Sequence, residues 1–110
     1  MDFTTRNRLV CKDGATVSVQ AGRWLYSFPK ADGELYTHVE AGFPEGSVPT
    51  SWILYAESPD DLNNTVYPYL PYHLLFEFID LHGGTESEDL PPWHPPALYH
   101  PFFISQVRTK

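Results

Sequence analysis

Three side chains in the second half of the chain have the types and spacing to hold a metal ion or pass a proton. His73, Glu77 and Asp80 stand at i, i+4 and i+7, which brings them to one face of a helix. The plainer explanation, a solvated helix face, is the one adopted. His94 and His100 flank a proline-rich segment with five residues between them, but a closed zinc site needs two further ligands. Cys11 is the single cysteine. It cannot form an internal disulfide, has no partner motif nearby, and is expected as a small buried strand residue. The sequence contains no Gly-rich phosphate loop, no nucleophile elbow and no Cys-x-x-Cys. No catalytic residue, metal or cofactor is expected, and the chain reads as a protein that acts by binding.

Aromatic rings and carboxylates are the groups left to do that. The chain has 110 residues and is 15% aromatic. A domain this small has too much surface for its volume to bury every ring. Exposed Tyr and Trp beside acids suit a protein interface. The aromatic contact candidates are Trp52, Tyr55, Tyr67 and Trp93. The acidic candidates are Asp32, Glu34, Glu40, Glu57, Asp60, Asp61, Glu86, Glu88 and Asp89.

Charge is unevenly placed. The net charge of −7 divides into +3 over residues 1–30, −12 over 31–107, where there is no lysine or arginine, and +2 from Arg108 and Lys110. Unless the basic N-terminal strands fold back over it, such a stretch presents a negative surface. That surface repels phosphates, so direct nucleic-acid binding is not expected. It favours a cationic partner and speeds the encounter.

These residues need elements to position them. Asp13-Gly14 is a hairpin signal after Leu9-Val10-Cys11. Residues 15–21 alternate with period two, placing Ala15, Val17, Val19 and Ala21 on one face. Further strands are expected over 23–28, 34–43, 52–56 and 65–67, the first two completing a meander. On the longest, Leu35, Thr37, Val39, Ala41 and Phe43 share a face. Pro71 and Gly83-Gly84 bracket a helix near 71–82, with Leu74, Leu75, Phe78, Ile79 and His82 as its apolar stripe. Leu90 to Pro96 should run as polyproline II, and 102–107 could add an edge strand.

The fold class is therefore α+β. An antiparallel sheet of about 4–6 strands carries one α-helix on one face, with a Pro-rich C-terminal extension. The chain reads as a single domain, 1–110, with 85–110 as the extended Pro/aromatic segment. The N-terminus lacks an apolar signal core, and no apolar run approaches the roughly 18 residues a membrane helix needs. A cytoplasmic setting is expected.

Val17-Ser18-Val19-Gln20-Ala21, Tyr36 to Pro44, Tyr55-Ala56-Glu57, Thr65 to Pro71 and His82-Gly83-Gly84 together resemble a group of small proteins carried by phages and prophages. The likeness covers roughly residues 15–84 and supplies no functional residues. It implies a phage accessory protein in a bacterial host, where small acidic proteins resemble inhibitors of host defence such as anti-CRISPR proteins. The expected function is occupation of the basic groove of a host defence or nucleic-acid-handling complex. The alternatives are a virion assembly accessory or homodimer joined through free sheet edges, and a binder of a small molecule or nucleotide signal.

Overall fold

The computed structural model describes residues 6–86 and 89–93. Within them the order is β1 (Leu9–Val10), β2 (Thr16–Gln20), β3 (His38–Glu45), a 3₁₀ helix (Thr50–Tyr55), β4 (Val66–Pro71) and α1 (Tyr72–Leu81). The four strands form one antiparallel sheet in sequence order, so the protein is α+β.

The first hairpin follows from its turn residues. Gly14 takes φ +95°, a conformation costly for a side-chain-bearing residue. Asp13 Oδ1 accepts the Ala15 N–H at 2.9 Å. The alternation in β2 holds: Val17 and Val19 are buried while Thr16, Ser18 and Gln20 are half-buried.

The alternation in β3 holds only for Val39 and Ala41. Thr16 pairs with Glu45 but Ser18 with Gly42, so β3 carries one extra residue. The bulge falls at Phe43, whose φ is +50°. It rotates the Phe43 ring outward and turns Pro44 into the core, inverting the expected face. Leu35 is exposed and Tyr36 buried, because β3 begins only at His38 and the period has no sheet to follow before it. A second bulge lies in β4. Val39 pairs with Leu70 but Ala41 with Tyr67, and the extra residue includes Tyr69 at φ +52°. β4 therefore continues past Pro68 to Pro71 instead of ending at Tyr67.

Two expected strands are not strands. Residues 23–28 form turns, with Phe28 making one isolated bridge to His38. The Ser27 hydroxyl donates to the Gly22 carbonyl and accepts the Gly22 N–H, a local closure that competes with extended pairing. Residues 52–56 fall mostly within the 3₁₀ helix. Trp52 drives its ring into the core, and its Nε1–H donates to the Leu74 carbonyl at 2.8 Å. That one anchor outweighs the alternating pattern, which leaves Ile53 and Leu54 in solvent.

Helix α1 stops as its glycines require. Gly84 N–H donates to Ile79 O and Gly83 N–H to Asp80 O, with Gly83 at φ +85°. This is a Schellman arrangement. Leu74, Leu75, Phe78 and Ile79 are buried against the sheet. Leu90 and Trp93 pack on the same core, and Tyr72 donates its hydroxyl to the Pro91 carbonyl. The expected strand at 102–107 and most of the Pro-rich extension lie outside the described residues.

Both sheet edges are partly occupied. Along β1, Glu86 N–H donates to Val10 O and Lys12 N–H to Gly84 O. Along β4, Glu57 N–H donates to Val66 O, and Pro68 has no N–H to offer. Among the described residues no helix is long and apolar enough to cross a membrane.

Candidate functional site

The segment joining β2 to β3 carries the largest exposed rings. Trp24, Tyr26 and Phe28 are 69%, 49% and 55% exposed, and Tyr69 on β4 is 39% exposed. Hydrogen bonds set the path of this loop. Its base is closed by the buried Ser27 hydroxyl on Gly22. Arg23 N–H donates to Asp32 Oδ1 at 3.0 Å, and Arg23 Nε lies 3.4 Å from Asp32 Oδ2. Tyr26 N–H donates to Glu40 Oε1 at 3.0 Å, tying the loop to β3. Gly22 leaves room for the Asp32 carboxylate, since a Cβ there would meet Asp32 Oδ1 at 2.9 Å and push that side chain aside.

At the centre of the face is a clip. The Tyr26 and Tyr69 rings are 5.7 Å apart, and Lys30 Nζ sits 5.5 Å from one centroid and 5.7 Å from the other. The ammonium also donates to the Leu25 carbonyl at 2.8 Å. A cation over two rings with a carbonyl acceptor is attracted by both faces. Phe28 stands edge-on to the His38 imidazole, 6.2 Å between centroids. Burial lowers the affinity of His38 for a proton.

The acids divide into two groups. Asp32 and Glu40 are structural acceptors for the loop, as above, and Asp89 is paired with Arg6 at 2.9 Å. Glu34, Glu57, Asp60, Asp61 and Glu86 are exposed. Three of these, Glu57, Asp60 and Asp61, share the turn before β4, where Asp61 accepts from the Asn64 amide. Glu88 lies outside the described residues. The charge separation expected from the sequence is thus reduced. Arg6 and Arg23 reach into the acidic half, and Arg8 shares the Thr16 hydroxyl with Glu45.

Trp52 and Tyr67 are fully buried and make up core, their rings 5.0 Å apart. Neither can meet a partner in this fold, which corrects their selection as contact residues. Tyr55 is half-buried against the core, and Trp93 is half-buried between Tyr72 and Phe76. The rings that are exposed on the β2–β3 segment sit among Gly22, Pro29 and the Asp32-Gly33 pair, and those turn residues were the available signal of exposure.

Glu77 accepts the Ser51 hydroxyl at 2.6 Å. Among the described residues no group of three or more His, Cys, Asp or Glu converges as a metal site. His94 and His100 lie outside the described residues. Cys11 is buried, and burial, with the Asp13 charge adding, pushes its thiol up to about 11, away from the reactive thiolate.

No protein-family model, curated protein or solved structure matches the chain.

Proposed function

We propose that the chain is an interaction protein that docks on a partner protein through its aromatic loop, with the exposed carboxylates steering the approach to a cationic surface. The observation that carries this reading is the exposure of Trp24, Tyr26 and Phe28 on a loop that is hydrogen-bonded into place. Rings held out from a fixed backbone lose little freedom on binding, and Trp and Tyr supply most hot-spot energy. A net charge of −7 supports a partner with a basic face.

Under the likeness to phage-carried proteins, that partner is a host complex that handles nucleic acid, CRISPR effectors and other defence complexes among them. The outcome is occlusion of its basic groove in the bacterial cytoplasm. The pairing of Arg6 with Asp89 and Arg23 with Asp32 moves the weight of the proposal from carboxylates to rings.

Capture from bacterial lysate at low and high salt tests it, with the wild-type chain beside a Trp24→Ala/Tyr26→Ala double variant. The wild type is expected to retain a partner that the variant loses, with recovery falling as salt rises. Equal retention by both chains overturns the aromatic assignment. Equal retention at both salts removes the steering role of the acids.

A further inference from the structure

Three parts of the chain, remote in sequence, meet at one imidazole. His82 follows the last residue of α1 and is 6% exposed. Its Nδ1 lies 2.7 Å from Asp13 Oδ2 in the β1–β2 turn. Its Nε2 lies 2.8 Å from the Ser47 carbonyl in the loop after β3. A neutral imidazole donates at one nitrogen and accepts at the other. Here both nitrogens face acceptors, a carboxylate on one side and a carbonyl on the other. Only a ring with a proton on each nitrogen satisfies both.

We propose that His82 is an imidazolium latch, holding the β1–β2 turn and the 46–48 loop to the end of α1, and that loss of its Nε2 proton releases the loop. Charged groups from several elements stand around the buried ring. Asp13 contributes a carboxylate, held below the usual carboxylate range first by the Ala15 N–H and then by the His82 bond. Glu45 from β3 lines the same cleft. The C-terminal end of α1 is the negative end of its dipole, and Asp80 lies on that last turn. Against these, Lys12 lays its stem beside Gly83 and Gly84. The Phe78 ring packs 4.6 Å from the imidazole.

The fit at the loop is close. Gly46 has φ +117°, and a Cβ there would come within 3.1 Å of His82 Cε1 and 2.9 Å of the Ala15 Cβ. When the ring loses a proton, the Nδ1 proton stays, because it faces an anion. The bare Nε2 then opposes the Ser47 oxygen, two lone pairs facing each other. The loop moves away, widening a cleft of about 320 Å³ lined by Asp13, Ala15, Glu45, Gly46 and His82. The latch lies in a different set of residues from the aromatic face and does not depend on it.

A pH titration of the full chain by long-range ¹H–¹⁵N spectroscopy of the imidazoles tests the latch, on the wild type and on Asp13→Asn. Asparagine keeps a carbonyl for the Ala15 N–H but removes the charge and turns its amide NH2, a donor, towards Nδ1. The wild type is expected to hold both ring protons at the acidic end of the folded range. On raising the pH, Nε2 alone should become unprotonated, and the Ser47 and Val48 amide signals should shift along the same curve. In Asp13→Asn the transition should move to lower pH. In the wild type, loss of the proton from Nδ1, or titration of Nε2 with Ser47 and Val48 unmoved, overturns the proposal. Should Asp13→Asn not fold, the wild-type titration decides it alone.

Discussion

Tyr69 and Tyr26 hold each other twice: the Tyr69 N–H donates to the Tyr26 carbonyl at 2.9 Å, and their rings stand 5.7 Å apart. The pairing places the β4 bulge directly against the aromatic loop. A non-glycine residue in the left-handed region is held there by its surroundings, and here those surroundings are the loop itself. Strain in β4 and order in the loop are two sides of one contact.

Tyr69→Gly separates them. Glycine takes φ +52° without steric cost, but it gives up more freedom on folding. These effects oppose each other, so global stability in urea is expected to change by less than about 1 kcal/mol. The loop loses the ring that faces Tyr26 and Lys30, so amide exchange across residues 24–28 should accelerate. An unchanged exchange pattern would show that the ring does not order the loop.

Two tryptophans make a sharper contrast. Trp24 is 69% exposed and Trp52 is fully buried. Trp24→Ala is expected to leave stability within about 0.5 kcal/mol while weakening partner capture. Trp52→Ala removes a ring stacked 5.2 Å from Phe78 and takes the indole donor from the Leu74 carbonyl. It should cost about 3–5 kcal/mol. Urea unfolding of both variants checks the pair, and comparable losses would contradict the burial assigned to either residue.

The sequence was most legible where one residue type dictates the backbone. Asp13-Gly14 and Gly83-Gly84 marked a hairpin turn and a helix stop, and both stand where the spacing put them. Period two located the core face of β2. It failed where a bulge inserts a residue, because Phe43 and Tyr69 are neither glycine nor asparagine and carry no mark of a left-handed backbone. It failed again at Trp52, where one buried indole outweighs an alternating run. The exposure of the rings was misread for a different reason. Nearness to the acids drew attention to rings inside elements, Trp52 and Tyr67, and those are the rings a core takes. The charge reading left open whether the basic N-terminal residues fold back over the acids, and Arg6 and Arg23 do so, reaching acids 83 and 9 residues away.

Acid should weaken the fold through Asp13. Its carboxyl is held below the ordinary range by the Ala15 N–H and by His82, so its folded form binds protons less readily than the unfolded chain. The stabilisation is fully present above the unfolded carboxylate range, near pH 4, and is lost as pH falls through the lowered folded value. Asp13→Asn should therefore flatten the acid limb of a stability–pH curve. An acid limb identical in wild type and variant would assign the effect to other carboxylates.

Alkali should act through Tyr67. The ring is fully buried and its hydroxyl donates to the Leu62 carbonyl. Burial pushes the phenol up to about 12, against about 10 for an exposed tyrosine. The folded chain thus holds the neutral form over a range where the unfolded chain ionises. The stabilisation is complete below about pH 10 and is lost as pH rises through about 12. Burial moves Tyr72 in the same direction, with Arg6 opposing it. Tyr67→Phe leaves the Leu62 carbonyl without its donor, which should cost about 1 kcal/mol at neutral pH. The variant should nevertheless lose less stability than the wild type between neutral and alkaline pH, because phenylalanine has no proton to give up. Urea midpoints for both chains at the two pH values measure this. An equal alkaline loss in the two would show that Tyr67 ionises as freely folded as unfolded, and would overturn the prediction.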